Sequence, residues 1–228
     1  MSRVHFDREL QALQDRLLAL GSKVAQNIVT AGNLLLQRNN ATARQVIRED
    51  EHVNQEQMAI EKDSLILLAT QQPLASDLRL VASVISIATE LERINDYAKG
   101  IAKINLMIAD EELLEPARDL PLMADKAASM LTRSLQAFVR RDVEAAYALH
   151  DEDDEVDALY NRVYEKLISL IREDVQMMDQ ATHLLWAAHN LERTADRVSN
   201  ICERIIFTVT GKLVEMPEEE DEIPYPQD

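Results

Sequence analysis

The second half of this chain repeats the first. Val53 matches Val156 at an offset of 103 residues, and the same offset pairs Leu17 with Leu120, Lys23 with Lys126, Ala25 with Ala128, Ala43 with Ala146 and Asp50 with Asp153. Further along, Glu92 matches Glu192 at an offset of 100. The copies therefore differ by three residues. The change falls between Leu68 and Ala82, around Gln71-Gln-Pro-Leu-Ala-Ser76, a predicted connection of the kind that tolerates insertion and deletion. A period this long, sustained over the chain, is the signature of a duplicated structural unit.

Apolar residues recur at helical spacing almost throughout. Leu10, Leu13, Leu17, Leu20 and Val24 form one stripe; Leu80, Val84, Ile87, Leu91, Ile94, Ala98 and Ile101 form another with alternating steps of three and four. The pattern predicts helices over 5–38, 41–71, 75–109, 117–140, 143–174 and 178–211. Only 4 glycines and 6 prolines interrupt 228 residues, and Pro73, Pro116 and Pro121 fall near predicted helix ends. Aromatics are 4% of the chain, so a sheet protein is a poor fit. Three long helices per repeat can bury a common seam. The expected architecture is all-α: two tandem, pseudo-symmetric three-helix bundles, the first repeat over 1–112 and the second over 113–213. The acidic, proline-bearing stretch 214–228 lacks periodicity and is expected to be a disordered tail.

The formal net charge is −17. A nucleic-acid backbone or an anionic lipid surface would be repelled as the main partner, whereas cations or a basic patch on another protein would be attracted. The single cysteine, Cys202, cannot close an internal disulfide and sits in an apolar helical pattern, which predicts a buried thiol in a reducing compartment. No signal peptide is visible, and no uncharged apolar run is long enough to span a bilayer. The expectation is a cytoplasmic protein without direct membrane insertion.

Four segments carry paired oxygen ligands: Asp50-Glu-His-Val-Asn54, Glu92-Arg-Ile-Asn-Asp96, Asp153-Asp-Glu-Val-Asp157 and Glu192-Arg-Thr-Ala-Asp196. Each sets two side chains at i and i+4, on one helix face, where two carboxylates repel unless something positive lies between them. Taken singly, such a pair is an ordinary solvated face. Two features argue for more. The pattern occurs on two helices of each repeat, and Asp50 lies on a core stripe with Val46, Val53, Gln57, Ile60, Ser64 and Leu67. Asp153 lies on the corresponding stripe with Leu149, Val156, Tyr160, Val163, Leu167 and Leu170. A carboxylate at a seam needs a partner, because an isolated buried charge costs several kcal/mol, on the order of 3–5. Arg93 or Arg193 from the neighbouring helix would serve, or a metal. Oxygen-rich clusters suit Mg, Ca, Mn or Fe, with Zn a further option.

Glu90-Leu-Glu-Arg-Ile-Asn-Asp-Tyr-Ala98 and Leu191-Glu-Arg-Thr-Ala-Asp-Arg197, with Leu74-Ala-Ser-Asp-Leu-Arg79 after Pro73, resemble the twin acid-x-x-x-Asp signature and first-repeat loop of the PhoU family. The similarity spans about residues 5–210. The resemblance implies two three-helix bundles and a cytosolic negative regulator of phosphate uptake. Such a regulator acts by contact with the ATPase of the phosphate ABC transporter and with its sensor histidine kinase, and is expected as a homodimer. It also implies metal on the motif faces: Asp50, Asn54, Glu92 and Asp96 in the first half, and Asp153, Asp157, Glu192 and Asp196 in the second, with Arg93, Arg193, Asp77 and Arg79 in supporting positions. Asn54 departs from Asp157 by lacking a charge, so the first site is expected to bind metal more weakly.

Other residues read plainly. One Glu-x-x-His, Glu49 to His52, falls short of a ferritin-like pair of such motifs. His183 and His189 read as packing or surface residues, Trp186 as an apolar anchor, Ser83 and Ser86 as packing, and the methionines as core filling, with Met177-Met178 able to line a partner surface. Glycine-rich phosphate loops and nucleophile elbows are missing. A non-enzymatic regulator is expected. A metal-dependent phosphohydrolase and a metal-free helical adaptor are the rival readings.

Overall fold

A computed structural model describes residues 3–108 and 112–216. Seven α-helices account for nearly all of it: α1 Arg3–Gln37, α2 Asn40–Gln71, α3 Ser76–Ile108, α4 Leu120–Arg140, α5 Val143–Asp151, α6 Asp153–Glu173 and α7 Met178–Thr210. Short 3-10 turns, Glu115–Asp119 and Val175–Met177, precede α4 and α7, and no strand occurs among the described residues. Five of the six expected helices are observed within a few residues of their predicted ends. The exception is the span 143–174, which divides at Glu152. Five consecutive acids, Asp151 to Glu155, stand at the division. Starting a helix at Asp153 puts Asp153, Asp154 and Glu155 in the first turn of α6, where the helix dipole favours negative charge.

Each repeat folds as expected, and the two share one core. Helices α1, α2 and α3 pack on one another, as do α4, α5–α6 and α7. Helix α1 also packs on α4 and α3 on α7, so α1, α3, α7 and α4 close into a central four-helix ring flanked by α2 on one side and α5–α6 on the other. Residues from all seven helices join a single hydrophobic cluster. The central pairs are antiparallel. Arg79 meets Thr208, Ser83 meets Arg204, Glu90 meets Asn200 and Tyr97 meets Arg197. On the other side Gly21 lies against Leu135, and Gly32 against Ala124. A Cβ at Gly21 would stand 2.0 Å from Leu135 Cδ1, and one at Gly32 2.3 Å from the Ala124 Cβ. These two glycines, three turns apart on one face of α1, let α4 approach closely.

The repeat extends to the turns. Arg38 and Arg141 both end a helix in the left-handed region, at φ 52° and 56°. Asn39 and Asp142 then cap α2 and α5, accepting 3.0 Å bonds from the N–H of Thr42 and of Ala145. The connection between repeats is pinned by Gln180, whose side chain accepts from Leu114 N (2.8 Å) and donates to Glu112 O (3.0 Å). Gly211, at φ 75°, ends α7. The following strap folds back: Met216 is buried and its N–H donates to Glu203 Oε1 at 2.9 Å. The expected disordered tail therefore begins with an ordered segment, and its residues 217–228 lie outside the described residues.

Cys202 is buried, with its thiol pushed up to about 12 by burial and by the neighbouring carboxylates of Asp153 and Glu203. Ser83 is a packing residue that also accepts a 2.7 Å bond from Thr208 across the α3–α7 seam. Trp186 is not an apolar anchor. It stands 55% exposed, with an edge contact to His183, while Leu184, Ala187 and Ala188 of the same helix are the residues buried there. No helix of the described residues is long and apolar enough to cross a membrane.

Candidate metal centre

In the second half, Asp153 and Asp157 stand one turn apart on α6 and face Asp196 on α7. One carboxylate oxygen from each lies within 4.8 Å of the other two. Oxygens bound to one hard cation at about 2.3–2.6 Å are separated by no more than about twice that length. Asp153 Oδ2 accepts a 3.3 Å bond from Ser199, whose hydroxyl is 3.1 Å from His150 Nδ1. Asp153 Oδ1 is buried and has no hydrogen-bond partner. Glu192, outside the triad, is similar. Its Oε2 is buried and lies 3.1 Å from His189 Nδ1 in a geometry that forms no hydrogen bond.

The electrostatics follow. Burial, then repulsion from Asp157 and Asp196, pushes Asp153 up to about 7. Burial, then repulsion from Asp196 and Asp157, pushes Glu192 up to about 8. The basic group beside the cluster is Arg193, 2.9 Å from Asp196 Oδ2, and it also hydrogen-bonds Tyr97 across the seam. Carboxylates gathered in a partly buried space raise one another's proton affinity, and a bound cation would relieve that repulsion.

The first half uses the same framework and ends differently. Asp50 is buried on α2, on the predicted stripe with Val46, Val53, Ile60, Ser64 and Leu67, all of them buried. Lys99 of α3 brings its Nζ to 2.5 Å from Asp50 Oδ2 and 3.2 Å from Asp96 Oδ1. Buried Asn95 donates to Asp50 Oδ1 at 3.0 Å and accepts from Asn27 of α1 at 2.8 Å. Both Asp50 oxygens are thus taken. Glu92 is raised by its burial and by Asp96 and Asp50, against the pull of Arg93 and Lys99. The Asn54 carbonyl oxygen is buried without a hydrogen-bond partner.

A family description, "PhoU domain", matches residues 17–104 and again 120–205. The chain belongs to the PhoU family. It is 34% identical over 217 residues to a phosphate-specific transport system accessory protein PhoU homolog of Clostridium acetobutylicum, covering 95% of this chain and 99% of that one. It is 35% identical over 214 residues to the homolog of Streptococcus pneumoniae, covering 94% and 99%. The crystal structure of PhoU from Streptococcus pneumoniae superposes with a TM-score of 0.87 at 34% identity, over 92% of this chain and all of that one. That of PhoU from Pseudomonas aeruginosa gives 0.86 at 30%, over 91% of this chain.

The metal that the PhoU resemblance implies fits the residues of the second half of this chain. There three carboxylates converge and a buried carboxylate oxygen of Asp153 is left without a hydrogen bond, an arrangement that fits a hard cation. In the first half an ammonium already stands between Asp50 and Asp96. Neither expected arginine is the partner of the seam carboxylates. Arg93 is half exposed and lies 3.5 Å from Glu90 on its own helix, and Arg193 turns to Asp196 and Tyr97. An arginine in each motif sits beside the acids on the same helix, so it reaches i±3 neighbours more readily than α2 or α6. Asp77 and Arg79 lie about four turns before Glu92 on α3. There Asp77 pairs with Arg3 at 2.5 Å, and Arg79 caps α7 by donating to Thr208 O at 3.2 Å. Lys99, Asn95, Ser199 and His150 were not apparent from the motifs. Aligning the repeats at offset 100 sets Lys99 against Ser199 and Asn95 against Ala195, and that contrast is the sequence signal.

Beside Asp153 and Asp196 a cleft of about 360 Å³ opens, walled by His150, Ser199 and Asn200 and by Glu203, Glu215 and Met216 at the strap. The second carboxylate cluster therefore borders a space large enough for a ligand or a partner side chain.

Proposed function

We propose that this PhoU chain is a non-enzymatic regulator associated with phosphate transport, acting in the cytoplasm by protein contact. Its metal-bearing face is formed by Asp153, Asp157, Glu192 and Asp196. The observation that carries this reading is the convergence of Asp153, Asp157 and Asp196 oxygens within 4.8 Å beside an unsatisfied buried Asp153 oxygen. The relatives' names as phosphate transport accessory proteins supply the pathway.

Docking is proposed on the transporter's ATPase and on the sensor histidine kinase, holding the kinase inactive when phosphate is plentiful, with the chain itself as a homodimer. With a formal charge of −17, the surface favours basic patches on those partners. Bare acidic faces repel phosphate; a bound hard cation would neutralise the cluster and offer coordination to an anionic group. Asp153 and Asp157 would hold it from α6, Asp196 and Glu192 from α7, and Ser199 orients Asp153.

Elemental analysis of protein purified without chelator tests the metal. It should be present in the natural chain and depleted in Asp196→Asn and Glu192→Gln. Retention in both variants would overturn the site. Pull-down from phosphate-replete cells tests the partners, with recovery of the ATPase and kinase expected and their absence decisive against docking. The cleft beside Asp153 is the one feature that favours a phosphohydrolase, and metal-dependent turnover of a model phosphoester, lost in Glu192→Gln, would establish that reading instead.

A further inference from the structure

We infer that the Lys99 ammonium is the built-in counter-cation of the first carboxylate face, so that this half takes no metal and the chain carries metal on its second face alone. The inference deepens the proposed function and rests on its reading of the second face as a cation site. It departs from a family resemblance that assigns metal to both faces.

The geometry is closed around Asp50. Lys99 Nζ bridges Asp50 Oδ2 (2.5 Å) and Asp96 Oδ1 (3.2 Å), the place a bridging ion would take between an α2 acid and an α3 acid. Asn95, itself fully buried, occupies the other Asp50 oxygen and is fixed from behind by Asn27. A metal entering here would have to expel a covalently tethered cation or sit beside it, and like charges in a partly buried site repel strongly. The oxygens left over are the neutral Asn54 carbonyl, the Glu92 carboxyl and the second oxygen of half-exposed Asp96, which already shares the Lys99 charge. In the second half the residues at the matching positions are Ser199 and Ala195. Neither brings a charge, and Asp153 Oδ1 keeps no hydrogen-bond partner.

The test titrates the full-length, metal-free chain with Mn²⁺ at neutral pH and reads free ion by electron paramagnetic resonance. Asp96→Asn, at a half-exposed residue, should leave the number of bound ions unchanged, whereas Asp196→Asn should weaken uptake at least about tenfold. Lys99→Ser should gain one further ion per chain, and Lys99→Ser with Asp96→Asn should lose that gain. Loss of an ion from Asp96→Asn in the natural background would overturn the inference, as would a helical Lys99→Ser that gains none. If Lys99→Ser folds only on adding Mn²⁺, recovery of its helical circular dichroism is the expected gain. If it fails to fold at all, Asp96→Asn decides. Uptake unaffected by Asp196→Asn would instead sink the second-face site, leaving the Lys99→Ser result to judge the first face separately.

Discussion

In the first half a buried aspartate meets an ammonium; in the second its repeat mate meets a hydroxyl. The two faces share much of the rest, although α6 begins at Asp153 while α2 runs unbroken through Asp50. Their helices enter through the same left-handed arginine and Asx cap. Their acids occur at the same spacing, and each cluster lies between an outer helix and the central ring. The divergence comes from Lys99 against Ser199, aided by Asn95 against Ala195 and Asn54 against Asp157. A duplicated scaffold can thus hold two copies of a motif in one register while a side chain one turn away decides whether the copy is self-neutralised or left needing a cation.

The comparison breaks most easily at Lys99. Replacing it with methionine keeps its bulk and strips Asp50 of its charge partner. Metal-free stability should fall by about 3 kcal/mol, toward the range for breaking a buried pair, read by urea unfolding. Most of that loss should vanish in an Asp50→Asn background, where no buried charge is stranded. Mn²⁺ at about a hundred times its dissociation constant should stabilise the natural chain by about 2.7 kcal/mol, seen as a rise in Tm. Asp196→Asn should cut the rise by at least about half, and Asp96→Asn should leave it intact.

A smaller effect sharpens the contrast through pH. Asp153 and Glu192 sit at about 7 and about 8 in the folded metal-free chain, above their ordinary values of 3.8 and 4.5. The native state therefore binds their protons more tightly than the unfolded chain does. Their contribution to stability is fullest in acid and is lost as pH rises from the ordinary values through about 8. Asp153→Asn should flatten that decline and stabilise the metal-free protein by about 1 kcal/mol in mild alkali, well below the full shift because the adjoining cleft admits water. Thermal melts at several pH values would check it, and the first half, with Asp50 paired, should show no matching gain from Asp50→Asn. The smallest effect should be shared: Asn39→Ala and Asp142→Ala should each cost about 0.5–1 kcal/mol, equally within error. A large disparity would mean the halves differ in their frames and not only in their faces.

Much of this was legible in the sequence. Apolar period and repeat offset are redundant over many residues, so helices, duplication and the seam position of Asp50 were all accessible. The acids that converge in the second half were accessible too, because i, i+4 spacing on two adjacent helices brings oxygens together. Lys99 was hidden for a physical reason. A lysine three residues after an aspartate is what any solvated helix shows, and its reach to α2 depends on the separation of two helices, which no local pattern encodes. The break at Glu152 was hidden similarly. Acids are tolerated inside helices, and with no proline or glycine present only their accumulated repulsion marks the division. Trp186 misled because a large apolar residue within a helical period is normally buried.

The close approach at Gly21 and Gly32 has a consequence for how the duplication behaves as an object. Because α1 lies hard against α4 and α3 against α7, neither copy owns a finished interior, and cutting the chain between them would bare a wide apolar wall on both pieces. The waist between the copies is thus part of the core of each, and a bulkier side chain at Gly21 or Gly32 would push the two acidic faces apart as well as loosen the α1–α4 contact.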